Sequence, residues 1–255
     1  MNVSFIAAGL VVGVIVGLSG VGGSSMLAPI LILFFGVKAT IAVGTDLVYS
    51  VPMKALAALA HVRQGTVDRA IVTEMVLGGV PASLLGLGAF ALVRAHAGEA
   101  ALEHLVRPAI GVVILIAAAS SLVLHLLARR GRDVPAPKRS STASMVAIGA
   151  VVGFLVSMTS IGSGSITLPL LLLALPAFSL RTLIGSEIVF AALIVPISAA
   201  GHATFGNVDW ALAANLAGGA IPGAYLGSRL CAVLGESAIR PAVIGVLAYA
   251  GVKLL

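Results

Sequence analysis

The sequence predicts an all-α polytopic membrane protein built from two homologous halves, and three observations predict it. Hydrophobic residues make up 60% of the chain and charged residues 9%, against about 45–50% and about 25% in a soluble domain. The apolar runs recur at lengths near the ~20 residues that one bilayer crossing needs. A glycine and serine cluster interrupts such a run twice, as Ser19-Gly20-Val21-Gly22-Gly23-Ser24-Ser25 with Pro29 and as Thr159-Ser160-Ile161-Gly162-Ser163-Gly164-Ser165 with Pro169.

The duplication extends well beyond that cluster. A constant offset of 141 residues carries Gly44-Thr45-Asp46 onto Gly185-Ser186-Glu187, His61 onto His202, Gly65-Thr66-Val67-Asp68 onto Gly206-Asn207-Val208-Asp209, and Pro81 onto Pro222. A duplicated, apolar chain with interrupted helices is the pattern of a secondary transporter whose site lies where the halves meet. We read one membrane domain over 1–255, with a first repeat at 1–128, a basic cytoplasmic linker at 129–143 and a second repeat at 144–255.

In chain order, residues 3–18 and 25–36 give helices of roughly 24 and 18 Å, each short of the ~30 Å hydrocarbon core. Together they form either one broken span or a re-entrant hairpin. Membrane helices are then expected at 39–61, 70–93 and 106–128, and after the linker at 182–202, 208–230 and 239–255. A cleavable signal peptide is not expected, because no basic stretch precedes the opening run, which matches the opening of the second repeat.

The net charge of +6 reflects topology rather than nucleic acid, since the basic residues sit at the ends of apolar runs without interleaved aromatics. The linker holds Arg129, Arg130, Arg132, Lys138 and Arg139, which places it in the cytoplasm. Contact of the same charges with lipid headgroups is the lesser alternative. If the halves are inverted, ten basic residues face inside and four (Lys38, Arg94, Arg107 and Lys253) outside; parallel halves give eight and six. The inside bias favours inversion, with both termini outside.

The breaks are the first candidate site. A glycine and serine interruption at membrane depth frees backbone groups, which is tolerable where protein or a polar cavity satisfies them. The helices that restart after Ser25 and Ser165 would aim N–H groups and a positive dipole end at the break. Gly22, Gly23, Ser24, Ser25, Gly162, Ser163, Gly164 and Ser165 are therefore candidate anion ligands. The competing reading is that these small residues only let helices pack closely.

Lys54 is the outstanding ionisable residue, because it lies mid-helix, far from either end, with Pro52 just before it. Asp46 and Tyr49 share its broad helix face. Lys54 either neutralises Asp46 or supplies positive charge for an anion, with Tyr49 as a hydrogen-bond donor. The second repeat carries Glu187, Phe190 and Val195 at the matching positions, so the scaffold repeats while the charge does not. Asp46 and Glu187 are candidates for coupled protonation, with His61 and His202 as weaker ones, since helix-end histidines are more often interfacial or capping. Cys231 reads as a packing residue. No His, Cys or acidic cluster has metal-ligand spacing, and no cofactor is implied. No nucleophile, base and orienting group fall together, so an enzyme is not expected.

At these residues the chain resembles the sulfite exporter TauE/SafE family of bacterial membrane transporters over nearly its full length. The motifs are Gly17-Leu18-Ser19-Gly20-Val21-Gly22-Gly23 with Pro29, Gly44-Thr45-Asp46-Leu47-Val48-Tyr49, Lys54, His61 with Gly65-Thr66-Val67-Asp68, and their second-half versions. The resemblance implies a multi-pass protein of the bacterial cytoplasmic (inner) membrane that moves a small sulfur-containing anion such as sulfite, thiosulfate or an organosulfonate. Membrane lipid is then a partner, nucleic acid is not, and a homodimer is compatible. Glu187 departs from the Asp expected of the branch that carries Asp46, Tyr49 and Lys54. A passive anion channel using the same cradle is the alternative.

Overall fold

The computed structural model describes residues 3–19, 24–129, 141–234 and 236–255. Before the linker lie α1 (Val3–Ser19), α2 (Ser24–Phe35), α3 (Ala39–Arg63) and α4 (Arg69–Arg129). After it come α5 (Thr142–Thr159), α6 (Thr167–Ala174), α7 (Leu180–Thr204), α8 (Trp210–Leu234) and α9 (Glu236–Leu254). No strand occurs among the described residues.

The helices expected at 39–61, 182–202 and 208–230 are present to within a few residues. Those expected at 70–93 and 106–128 form one run, α4, which as a straight helix would reach about 90 Å, some three times the bilayer core. Gly98, at φ 80° and ψ 178°, breaks it into arms over 69–97 and 99–129, a conformation that favours glycine. By length and composition, four described helical segments can cross a membrane: 39–63, 69–123, 142–159 and 180–204. Shorter apolar helices cover 4–15, 26–35 and 244–254.

The end of α3 explains how the chain turns back. Gly65 takes φ 65°, its N–H bonds Val62 O, and the Thr66 N–H bonds His61 O, which is the Schellman stop. α7 ends the same way, with Gly206 at φ 72° and the N–H groups of Gly206 and Asn207 on Ala203 O and His202 O. The next helix starts at once in both places. Asp68 Oδ1 accepts from the Ala70 and Ile71 N–H groups, and Asp209 Oδ1 accepts from Leu212 N–H, as an N-cap carboxylate does. The first arm of α4 then returns to where α3 began. There Glu103, on the second arm, accepts from the backbone N–H groups of Ala39 at 2.5 Å and Thr40 at 3.2 Å, and Glu99 approaches Lys38 and Arg94 at 4.0 and 3.6 Å.

Glycines set which helices lie closest. A Cβ on Gly219, Gly223 or Gly227 of α8 would overlap the carbonyls of Ile6, Leu10 or Val14 of α1, so α1 and α8 run parallel in near backbone contact. The first arm of α4 meets α5 likewise, with Gly149 against Met75 and Gly153 against Gly79. Small residues four apart allow such approaches between membrane helices. In contrast, α3 and α7 run antiparallel, since Gly44 lies against Asn207 and Gly185 against Thr66. The second arm of α4 and α9 are also antiparallel, with Gly111 near Leu254 and Gly251 near Leu115.

Leu27, Leu31, Leu47, Met75, Phe90, Leu171 and Phe190 fill the centre. The outside is also apolar, with Leu56, Leu77, Leu85, Leu92, Ile221 and Tyr249 more than half exposed. Polar groups, by contrast, gather inside: Thr45, Asp46, Ser163, Ser165, Ser186, Glu187, Ser198 and His202 are all buried. A polar interior within an apolar shell is the arrangement that lipid as solvent selects.

Candidate functional site

The site forms where the second break meets α3 and α7. Helix α5 stops because Ser160 turns into the left-handed region, at φ 61°, while its N–H still bonds Val156 O at 2.8 Å. That conformation is costly for a serine unless its surroundings hold it. The hydroxyl provides the hold, donating to Asp46 Oδ2 at 2.6 Å. Gly162 at φ 133° and Gly164 at φ 90° continue the break in conformations that favour glycine. The Gly162 carbonyl then accepts from Ile166 N–H, Thr167 N–H and the Thr167 hydroxyl, which restarts the chain as α6. The whole stretch 160–167 is buried, and protein groups satisfy much of its freed backbone, as membrane depth requires.

A reciprocal clasp sets the acids beside this break. The Asp209 N–H donates to Thr45 Oγ1 at 3.1 Å, and the Asp68 N–H donates to Ser186 Oγ at 2.9 Å. The offset of 141 interchanges these two bonds, so each half grips the other with the same residues. Asp46 and Glu187 follow the gripping Thr45 and Ser186 directly, which fixes both acids at the α3/α7 contact. Asp46 is 0% and Glu187 4% exposed. The Gly164 backbone N–H acts on the Glu187 carboxyl as a hydrogen-bond donor, so one acid binds the start of the break and the other its middle.

Lys54 is half-buried and interacts electrostatically with both Asp46 and Glu187. Among the described residues the ion pairs within 4.0 Å are Lys38–Glu99 and Arg94–Glu99, so Lys54 is not paired with Asp46 as the simplest neutralising arrangement requires. Tyr49 is half-buried against the core and feels the Asp46 charge.

Several buried polar atoms have no hydrogen-bond partner among the described residues: Asp46 Oδ1, Ser165 Oγ, Glu187 Oε1, Ser198 Oγ, His202 Nδ1 and Asn207 Nδ2. Buried polar atoms are nearly always paired, and Asp46, Ser165, Glu187 and Asn207 among these belong to the break, the clasp or the residues directly beside them. No described group of three or more His, Cys, Asp or Glu side chains could hold a metal ion.

The expected site residues thus fall into three groups. Asp46, Tyr49, Lys54, Gly162, Ser163, Gly164, Ser165 and Glu187 belong to the break and the two helices that flank it. Gly22 and Gly23 lie outside the described residues, and of Ser24 and Ser25 only their place in the first turn of α2 is described. The histidines separate. His61 bonds Thr66 Oγ1 at 2.8 Å within its own helix-end turn, whereas His202 is not the interfacial residue that its helix-end position suggests. It is fully buried, its Nε2 donates to Ser157 O at 2.9 Å, and its ring meets Phe90 edge-on at 4.6 Å. Packing of α5 and the first arm of α4 over the end of α7 covers it. Ser160, Thr45 and Ser186 hold the break and the clasp through their hydroxyls, and the sequence marked them only as members of repeated motifs.

An all-helical chain that crosses the bilayer several times and gathers hydroxyls, two acids and a cation around a broken helix belongs to the class of multi-pass membrane transporters. Comparison with known proteins identifies which kind: the family model described as sulfite exporter TauE/SafE matches residues 5–254, and the chain belongs to that family. A relative in Bacillus subtilis (strain 168) named "Probable membrane transporter protein YjnA" is 36% identical over 259 residues, covering 100% of both chains. "Probable membrane transporter protein YunE" of the same organism is 26% identical, covering 91% of this chain and 88% of its own. No solved structure gives a significant match.

Proposed function

We propose that the protein is a secondary transporter that moves a small sulfur-containing anion across the bacterial inner membrane by alternating access, driven by an ion gradient. The observation that carries this reading is Lys54, a half-buried ammonium between two buried acids with no carboxylate within ion-pair distance among the described residues. A charge kept inside the membrane without a close partner is a site for a charged substrate. Serine hydroxyls and glycine N–H groups of the break would take the oxygens of sulfite, thiosulfate or an organosulfonate, and Tyr49 would orient it. The family's name supports sulfite chemistry.

Alternating access suits an inverted pair of halves. Supporting inversion, the matching helices α3 and α7 run antiparallel, as do the second arm of α4 and α9. In addition Arg181, at the start of α7, donates to Gln64 Oε1, at the end of α3, at 3.2 Å. That contact brings the start of α7 beside the end of α3, near Arg63, and so supports the arrangement that charge counting favours. Because α5 and α7 run parallel, with Ser157 beside His202 and Gly149 close to Phe190 through Gly79, the intervening α6 must return, which favours a hairpin over a single broken span.

Uptake by purified protein in liposomes tests the assignment. Lys54→Ala and Lys54→Gln should each lower the transport of sulfite, thiosulfate and sulfoacetate more than about tenfold, the loss expected when one charge-assisted contact worth ~1.5–3 kcal/mol is removed. Wild-type rates in both variants would sink it.

A further inference from the structure

The geometry points to a monovalent cation site, of the sodium type, at the Asp46 carboxylate where α5 ends. The C-terminus of a helix carries negative partial charge and unsatisfied carbonyls, and a cation is what stabilises it. Here a carboxylate stands there instead. Ser160, the C-cap of α5, holds Asp46 Oδ2 at 2.6 Å, and the carboxylate is 0% exposed. Two negative groups thus meet in a buried place, and Lys54 acts on Asp46 only from beyond ion-pair distance.

The oxygens at this point have capacity left over. Asp46 Oδ1 has no partner among the described residues. Of the carbonyls in the last turn of α5, those of Val156 and Ser157 accept from Ser160 N–H and His202 Nε2. A carboxylate and a serine hydroxyl beside a helix C-terminus are hard oxygen donors, the kind that alkali and other hard cations select. A bound cation would offset both negative charges and use the spare lone pairs together.

Glu187 is the informative contrast. It occupies the matching position, yet faces the Gly164 N–H, a donor, rather than a helix C-terminus. The asymmetry assigns the cation to Asp46 alone. Cation binding follows from the local geometry, and only its role as the driving ion rests on the transport reading above.

Thermal unfolding of the purified protein at fixed pH and ionic strength, with choline chloride exchanged for sodium chloride or potassium chloride, tests the site. Sodium should raise Tm along a saturating curve, by about 5 °C once it exceeds its Kd about a hundredfold. Potassium should give a smaller rise, and Asp46→Asn or Asp46→Ser should abolish the sodium shift. A flat sodium response of the wild-type protein, an equal rise in potassium, or an undiminished sodium shift in a folded Asp46 variant would each overturn the site. The wild-type titration decides even where a variant does not fold. A flat sodium response with intact Lys54-dependent anion uptake sinks the cation site alone, and sodium stabilisation without uptake of any sulfur anion sinks the anion reading alone.

Discussion

Helices α3 and α7 hold equivalent places in the two halves and differ in what they present at mid-length. Both run for 25 residues, both contain a proline, and both end in the same glycine-terminated turn. Each is gripped at its start by the following turn of the other half, through Thr45 with Asp209 and Ser186 with Asp68. Between these shared ends α3 carries Tyr49 and Lys54, both half-buried, where α7 carries Phe190 at 0% and Val195 at 2% exposure. The repeat thus keeps the residues that the backbone needs for docking and changes those that face the site. α7 is a packed wall, and α3 supplies the ionisable surface opposite it.

The strongest way to break this contrast is to exchange its central residues. Val195→Lys would bury an ammonium in the packed wall and should cost about 2.5–3.5 kcal/mol, read as a lower Tm in detergent. Lys54→Val should leave Tm unchanged or raised while anion uptake falls more than about tenfold, given the ~1.5–3 kcal/mol carried by a charge-assisted contact. Comparable stability losses in both would mean that α3 is packed like α7.

The shared ends make the opposite prediction, equal effects in both halves. A Cβ on Gly44 would strike the Asn207 carbonyl and one on Gly185 the Thr66 carbonyl, so Gly44→Ala and Gly185→Ala should each destabilise by about 3 kcal/mol, at the upper end for overpacking. Removing the gripping hydroxyls is milder. Thr45→Val and Ser186→Ala each strand one backbone N–H and should cost about 1–2 kcal/mol, seen in parallel Tm shifts. Unequal pairs would show that one clasp dominates.

The smallest effects belong to the helix starts, where the halves differ again. Ser179 caps α7 locally, accepting from Thr182 N–H at 3.1 Å, and Ser179→Ala should cost about 1 kcal/mol. α3 is capped by the distant Glu103. Glu103→Gln keeps one acceptor and should lower stability by only about 0.5 kcal/mol, detectable as a shift in denaturation midpoint.

Much of the fold was legible in the sequence because its signals are local. Apolar run length sets a crossing, Gly65 and Gly206 each stop a helix, Asp68 and Asp209 each start the next, and repetition exposes the two halves. The second break was legible too, since Gly162 and Gly164 are the residues that its backbone demands. The pairings across the chain were not legible. Asp46 and Lys54 share a helix face without forming an ion pair, and nothing in their spacing announces that Ser160, distant in sequence, takes up Asp46. His202 reads as a helix-end residue and is buried because other helices cover it. A duplicated membrane chain with breaks and charges at stated positions follows from the residues in order, since helix length, turns and hydrophobicity are properties of neighbouring residues. Which turn grips which helix, and which oxygens remain unpaired, emerges from the packed fold, because both depend on how closely glycine-lined helices approach.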